Sequence, residues 1–323
     1  QFGKVVENSF LYLDIDLLKY YLFLDLKEQI LMYDSRYIIK EDEDIILIND
    51  YIFISFFVGN DFLPHLPSYS LRNDGLNMLL EKYIVIYVNY GNPLIDIYKK
   101  KINNNVLSAF IRKISECENE LLIKYNNKRK KFRFRTFKTD EYERQLELLN
   151  NKPSIERKDE DYIDIGTKNW SSRYYEKCLN VYEEEDLESC VYNYLKMLKW
   201  NFEYYYLKCN NYTYKYNYRH APCATDISRY LNNIDINEIK INKTRPYSSI
   251  IQLLTIMPKN SIHLIDSKFR CLMSEESNIA DYYPEHFKLD SYYKRYFWQC
   301  EPILPNLNYD RVIKSIKDNK VFK

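Results

Sequence analysis

Glycine is scarce in this sequence. The 323 residues include only five glycines, whereas average usage near 7% would give roughly 23. The loops that cradle phosphate groups need several glycines close together, and neither G-x-G-x-x-G nor the Walker A pattern occurs. The sequence therefore excludes the classes of nucleotide-binding protein that depend on these two motifs.

Paired cysteines and long apolar runs are also missing. The seven cysteines are an odd number without a C-x-x-C pair, so they indicate single thiols in a reducing compartment rather than a disulfide framework or a zinc site. We therefore expect an intracellular protein, with the cytoplasm favoured over the nucleus. No apolar run reaches the roughly 18 residues of a membrane-spanning helix, so no membrane partner is predicted.

The first residues lack both an initiator methionine and the apolar region of a signal peptide. This start predicts that the sequence is the middle of a longer polypeptide, or a processed or truncated one. Lys and Arg total 47 against 46 Asp and Glu, so the net charge of +1 by itself indicates no partner. The apolar fraction of 46% excludes a disordered chain.

Hydrophobic periodicity predicts a mainly α protein with a few short strands, an α+β class. The apolar run 45–58 predicts a buried helix with the acidic residues 41–44 at its first turn and Gly59 at its end. Other helices are predicted within 1–30, at 72–88, at 105–124, and within 170–208, where the acidic residues 183–186 suit a first turn.

Composition divides the chain into three regions. Residues 1–124 form a helical region, and residues 170–323 form a helical and mixed region that completes the same core. Residues 125–169 are first basic and then acidic with few aliphatic side chains, which predicts a linker or a mobile insertion. The basic stretch 128–135 interleaves cations with aromatic residues, so it either binds RNA phosphates or is a solvated patch.

The peptide GNDFLPHLP (59–67) is the most informative part of the sequence. It places Asp61 just after a buried apolar helix, near the C-terminal end where the helix dipole disfavours negative charge. The carboxylate therefore needs a compensating donor or cation. A divalent metal ion is one solution, since Mg²⁺ binds one or two carboxylates together with substrate phosphate oxygens. An Asx-type turn, in which Asp61 bonds its own backbone, is the alternative.

The segment FFVGNDFLPHLP (56–67) resembles F-x-V-G-N-D-F-L-P-H-L-P of the Xrn family of 5′→3′ exoribonucleases. The helix YLKMLKWNFEYYYLKC (194–209) is similar to that family's Y-x-x-G-L-x-W-V-x-x-Y-Y-Y-x-G-C. Softer matches follow the same order along the chain: SSRYYEKC (171–178), NYRHAPCATDI (217–227), IADYYPEHFKLD (279–290) and CEPILP (300–305). The resemblance implies the C-terminal helical half of an Xrn or flap-nuclease-like catalytic core.

The resemblance implies an enzyme that removes single nucleotides from 5′-monophosphorylated RNA with two Mg²⁺ or Mn²⁺ ions. Asp61 matches one of the family's catalytic metal ligands, and Asn60 and His65 match groups that orient this carboxylate. The other ligands and the 5′-phosphate pocket belong to a region that precedes this motif in the family. We therefore expect an upstream nuclease region as a partner, covalent or as a separate chain, and an inactive chain without it.

Single-stranded RNA is the expected substrate. Where the family has a tryptophan-rich loop, this sequence has NYTYKYNYRHAP, so Tyr212 and Tyr214 are candidates for base stacking, with Lys215 and Arg219 for phosphate binding. With 34 tyrosines in the chain, however, no single tyrosine is a strong functional signal. These tyrosines could equally line a half-buried strand that packs on helices. The alternative function is a noncatalytic, Xrn-derived RNA-binding or structural scaffold.

Overall fold

Helices account for most of the secondary structure. The computed structural model describes residues 12–318. Its α-helices are α1 (Ile15–Tyr33), α2 (Glu43–Ser55), α3 (Gly75–Tyr90), α4 (Asn104–Ser115), α5 (Glu118–Lys131), α6 (Glu141–Asn150), α7 (Lys152–Ile155), α8 (Lys158–Ile163), α9 (Trp170–Tyr174), α10 (Glu184–Tyr206), α11 (Ala224–Leu231), α12 (Ser249–Ile256) and α13 (Tyr309–Asp318). Short 3₁₀ segments and one π-helical turn (Tyr175–Leu179) connect several of them.

Strands are few and short. β1 (Ile95–Asp96) pairs antiparallel with β2 (Lys101–Ile102), and β3 (Lys288–Asp290) pairs antiparallel with β4 (Glu301–Ile303). The predicted mainly α class with a few short strands is therefore confirmed. None of the helices between residues 12 and 318 combines the length and the apolar character needed to cross a membrane.

The described chain forms two compact units, and each is assembled from separate stretches of sequence. The first unit contains residues 12–125, 168–210 and 215–242; the second contains residues 126–167, 211–214 and 243–318. The predicted division into three consecutive regions stays a prediction.

Acidic residues begin α2 in the first unit. Glu43 and Asp44 lie in its first turn, where the helix dipole favours negative charge. The buried carboxylate of Glu43 accepts hydrogen bonds from the hydroxyl groups of Tyr37 and Tyr87, each at 2.6 Å. These donors compensate the desolvation of the carboxylate. The hydrogen bond from Tyr87 also joins the predicted acidic first turn of α2 to α3.

A second buried carboxylate on α2 ties this helix to its neighbours. Asp50 accepts hydrogen bonds from the hydroxyl group of Tyr83 at 2.6 Å and from the backbone N–H groups of Leu94 and Ile95 at 2.7 and 2.8 Å. Burial raises the pKa of Asp50 to about 7, although these hydrogen bonds act in the opposite direction. The interior of the first unit therefore contains a group that titrates near neutral pH.

The predicted stop at Gly59 has a steric basis. The α-helical part of the apolar run ends at Ser55, and a 3₁₀ turn (Phe56–Val58) continues to Gly59. Gly59 has φ 92° and ψ 147°, and a Cβ atom there would lie 3.0 Å from the backbone nitrogen of His65. Because residues with a Cβ rarely adopt this conformation, glycine allows the chain to fold back on itself.

The second unit has a buried ion pair at its centre. The guanidinium of Arg129 donates to both carboxylate oxygens of Glu160, at distances from 2.8 to 3.1 Å, and to the carbonyl oxygen of Pro153 at 3.1 Å. Lys130 pairs with Asp164. Removing one partner of a buried pair leaves an uncompensated charge, so Arg129 has a structural role within the basic stretch.

A separate apolar cluster of this unit contains Leu254, Ile265, Phe269, Met273, Ile279 and Val312.

Candidate functional site

The Asn60 side chain closes the turn that follows α2. Its Oδ1 atom accepts hydrogen bonds from the backbone N–H groups of Phe62 and Leu63, both at 2.9 Å. The backbone N–H of Asn60 donates to the carbonyl oxygen of Leu63 at 3.0 Å. This is an Asx turn. It fixes the backbone on both sides of Asp61 without using the Asp61 side chain.

Asp61 is exposed on this turn. Its carboxylate makes no hydrogen bond or ion pair with any residue from 12 to 318. The alternative interpretation, in which Asp61 bonds its own backbone, is therefore wrong, because Asn60 takes that role. A carboxylate that the protein leaves unpaired in the described residues is available to a cation or another ligand.

Asn60 and His65 belong to the same turn as Asp61. Nδ1 of His65 lies 2.8 Å from the carbonyl oxygen of Leu66, and the backbone nitrogen of His65 lies 3.0 Å from the position that a Cβ atom at Gly59 would occupy. Asn60 acts on Asp61 through the backbone rather than through a side-chain contact. The predicted orienting roles of Asn60 and His65 stay predictions.

Few possible metal ligands surround Asp61. No group of three or more His, Cys, Asp or Glu side chains within the described range 12–318 is arranged to hold a metal ion. A two-ion centre needs several oxygen ligands, so the described residues do not fit such a centre by themselves. Asp61 could supply one carboxylate to a centre completed by other ligands.

An aromatic cluster adjoins Asp61 through its neighbour Phe62. The Phe62 ring makes edge contacts with Trp200, at a centroid distance of 4.9 Å, and with Tyr204, at 5.2 Å. Trp200 and Tyr204 stack at 5.2 Å with their planes 13° apart, and Tyr204 remains exposed. The sequence alone did not indicate this cluster, because single tyrosines are weak signals in a chain with 34 of them. The spacing of Trp200 and Tyr204, one helical turn apart, was the available signal.

A buried asparagine lies behind the turn. Nδ2 of Asn60 donates to Oδ1 of Asn201 on α10 at 3.4 Å. Asn201 is fully buried, and its own Nδ2 has no hydrogen-bond partner in the part of the chain that the structure describes. Asn201 was not among the candidate residues predicted from the sequence. The signal was an asparagine at the position where the family pattern W-V has valine.

A second asparagine, Asn211, forms a similar turn at the start of the tyrosine-rich segment (211–222). This turn belongs to the second unit. Oδ1 of Asn211 accepts hydrogen bonds from the backbone N–H groups of Thr213 at 2.9 Å and Tyr214 at 2.7 Å. The hydroxyl group of Thr244 donates to the same oxygen at 3.1 Å. Tyr212 is 54% exposed and Tyr214 is half-buried. Residues 211–220 contain no strand, so the predicted alternative of a half-buried strand is wrong.

The remaining candidate RNA-binding residues lie in the first unit. Lys215 and Arg219 are both exposed. Between them, Tyr216 packs edge-on against Tyr194 of α10, at a centroid distance of 5.8 Å, and donates to the carbonyl oxygen of His220 at 2.9 Å. Tyr216 is thus a tyrosine of this segment that packs on a helix.

The RNA-binding roles of Tyr212, Tyr214, Lys215 and Arg219 stay predictions. Exposure of Tyr212, Lys215 and Arg219 makes their side chains accessible to a ligand. The four residues divide between the two units, a division that the continuous sequence did not indicate.

Comparison with known families gives a match over most of the chain. Residues 41–156 and 144–320 match the family model of the Xrn1 helical domain. The first segment contains the Asp61 turn, and the second contains α10 and the tyrosine-rich segment. The expected helical region of an Xrn protein is therefore confirmed.

Several curated proteins are similar to this chain. The 5′-3′ exoribonuclease 2 of Arabidopsis thaliana is 26% identical over 83% of this chain and 34% of its own length. The human 5′-3′ exoribonuclease 1 is 25% identical over 96% of this chain and 20% of its own length. The Schizosaccharomyces pombe 5′-3′ exoribonuclease 1 is 24% identical over 99% of this chain and 31% of its own length. The chain thus spans about a third or less of these relatives.

Proposed function

We propose that this chain, which belongs to the family of the Xrn1 helical domain, is part of a 5′→3′ exoribonuclease acting on 5′-monophosphorylated RNA. The names of the relatives support the reaction class. One structural observation carries the assignment to a site: Asp61 is exposed and unpaired among the described residues, on a turn that the neighbouring Asn60 closes in its place.

The proposed reaction is hydrolysis with two Mg²⁺ or Mn²⁺ ions, which together would activate water and stabilise the leaving oxygen. The chain would contribute the Asp61 carboxylate, and an upstream acidic region, covalent or separate, would supply the other ligands. The conformation of Gly59 and the hydrogen bonds of Asn60 restrict the backbone next to Asp61. This restriction supports a role of Asp61 as a metal ligand, because metal ligands must be held in a defined position.

Single-stranded RNA is the proposed ligand of the exposed groups. Tyr212 and Tyr214 would stack on bases, since every base has a flat face that an aromatic ring can cover. Lys215 and Arg219 would bind phosphates, and phosphate binding makes affinity fall with increasing salt. The exposure of Tyr212, Lys215 and Arg219 supports this proposal.

The experiment uses the 323-residue chain alone and the same chain joined to, or mixed with, the acidic upstream region. We expect the complete assembly to shorten 5′-monophosphorylated RNA from its 5′ end when Mg²⁺ is present, and the chain alone to leave it intact. In the assembly, Asp61→Asn should lower the rate by about 100-fold or more, because even groups that only support metal ligands change activity by about 10- to 100-fold.

Asp16→Asn is the matched control. Asp16 is another exposed aspartate of the first unit, with only a weak 3.8 Å ion pair to Lys19, so this substitution should leave the rate unchanged. If the assembly binds RNA equally with and without Mg²⁺ and never shortens it, the exoribonuclease proposal is wrong. A noncatalytic RNA-binding scaffold would then be the better description.

A further inference from the structure

Asn201 is an unusual residue for its position on α10. The other buried residues of this helix are apolar, aromatic or thiol side chains: Leu187, Cys190, Val191, Tyr194, Leu195, Met197, Leu198, Trp200 and Phe202. Asn201 is 0% exposed. A buried amide needs partners for two donor hydrogens and one acceptor, so its presence requires a reason.

The hydrogen bonds of the turn determine how this amide is oriented. Oδ1 of Asn60 is occupied by the N–H groups of Phe62 and Leu63, so Asn60 must turn its NH₂ group toward α10. Asn201 must then present its oxygen, at 3.4 Å. The NH₂ group of Asn201 is consequently left without a partner in the described residues, which is unfavourable for a buried donor.

We propose that Asn201 is a positioning residue for Asp61 and acts through Asn60. Its oxygen holds the Asn60 amide in the one orientation that closes the turn, and the closed turn directs the Asp61 carboxylate outward. A valine in its place would remove the unpaired donor but would also release the Asn60 amide. Asn201 therefore lowers the stability of the core and increases the order of the turn. The consequence for catalysis rests on the proposed function.

Two variants separate these effects. Asn201→Val removes both the unpaired donor and the acceptor, whereas Asn201→Asp keeps an acceptor oxygen in the same place but buries an acidic group. We expect the Val variant to unfold at equal or higher denaturant concentration than the natural chain, yet to have a looser turn. The Asp variant should be less stable overall, yet keep the turn ordered.

Hydrogen exchange of the 323-residue chain measures the order of the turn directly. In Asn201→Val, the amides of Phe62 and Leu63 should exchange faster by about tenfold, the effect of about one net hydrogen bond. In Asn201→Asp the exchange rates of these two amides should stay near those of the natural chain once the change in global stability has been subtracted. Tyr194→Phe is the matched control: it removes the other buried, unpaired donor group of α10 and should leave the turn unchanged.

Exchange rates that follow global stability in all three variants would overturn the proposal, because a merely structural residue behaves in that way. The same holds if Asn201→Val leaves both amides as protected as before. Neither result depends on enzymatic activity, so this measurement judges Asn201 even if the exoribonuclease proposal is wrong.

If the assembly is active, a second measurement follows. Asn201→Val should raise the Mg²⁺ concentration needed for half-maximal activity several-fold and leave KM for RNA unchanged, whereas Tyr194→Phe should change neither. An active assembly in which Asn201→Val has the natural Mg²⁺ dependence would contradict the inference about Asn201 and leave the proposed function intact.

Discussion

Two turns of this protein, one in each unit, are built in the same way. In each, an asparagine oxygen accepts the backbone N–H groups two and three residues later: Asn60 binds those of Phe62 and Leu63, and Asn211 binds those of Thr213 and Tyr214. In each, the residue directly after the asparagine is exposed. Those two residues, Asp61 and Tyr212, are the strongest functional candidates of the chain.

The two turns differ in the burial of the asparagine and in the groups that contact it. Asn60 is half-buried, follows a glycine in a conformation restricted to glycine, and has one long hydrogen bond to Asn201. Asn211 is buried, and the Thr244 hydroxyl group reinforces it. The Asp61 turn thus depends on backbone shape together with the Asn60–Asn201 hydrogen bond, and the Tyr212 turn depends on the side-chain hydrogen bonds of Asn211 and Thr244. This difference predicts which substitutions affect which turn.

The largest expected effect concerns Asp50, a buried carboxylate that accepts backbone N–H groups as the side-chain oxygens of Asn60 and Asn211 do. Asp50 also accepts two consecutive backbone N–H groups, but burial raises its pKa from 3.8 to about 7. Folding therefore favours its protonated form. Its contribution to stability is complete below pH 4, and it is lost as pH rises through about 7, by about 4 kcal/mol at 1.36 kcal/mol per pH unit.

Denaturant unfolding between pH 4 and 8 checks this prediction, with Asp50→Asn as the comparison. The unfolding free energy of the natural chain minus that of Asp50→Asn should fall by about 4 kcal/mol as pH rises from 4 to above 7. A constant difference would mean that Asp50 does not titrate in this range. The two asparagine turns carry no charge at the corresponding position, so Asn60→Ala and Asn211→Ala should keep the natural pH dependence.

Gly59→Ala is the sharpest test of the backbone-shaped turn. A Cβ atom at Gly59 meets the backbone nitrogen and Cβ of His65 at 3.0 and 3.2 Å, and the backbone conformation itself is strained for alanine. We expect a loss of about 3 kcal/mol in the free energy of unfolding. Gly91→Ala is the control, because its φ is also positive but no atom lies within 4 Å; its loss should be about 1 kcal/mol. Equal losses would contradict the steric account.

The sequence predicted the mainly α fold, the acidic first turns of α2 and α10, and the stop at Gly59, because all of these depend on nearby residues. It also identified Asp61 and Tyr212 as candidates. The alternative to a metal site at Asp61 placed the Asx role on Asp61 instead of Asn60, because a carboxylate and an amide are equally suited to that turn. Asn201 and Thr244 were missed because their contacts join residues far apart in sequence.

Removal of each asparagine compares the two turns directly. Asn211→Ala leaves two backbone N–H groups and the Thr244 hydroxyl group without their acceptor, and this loss of three donor contacts should lower the free energy of unfolding by about 2 kcal/mol. Asn60→Ala frees only two backbone N–H groups, those of Phe62 and Leu63, so a smaller loss of about 1 kcal/mol is expected. Denaturant midpoints of the two variants give the order, and the reverse order would refute this ranking of the turns.

The smallest expected effect is at Tyr212. Because its ring is 54% exposed, Tyr212→Ala should leave the unfolding free energy unchanged but weaken binding of single-stranded RNA by about 1 kcal/mol, or about fivefold in Kd, as expected for the loss of one stacked base. Tyr212→Phe keeps the stacking face and should bind as the natural chain does. Tyr142→Ala, which removes a 75% exposed tyrosine of the same unit, is the control for a general loss of aromatic surface. Fluorescence anisotropy with a labelled oligonucleotide measures all three, and an equal weakening by Tyr142→Ala would show that the Asn211 turn does not present a specific stacking residue.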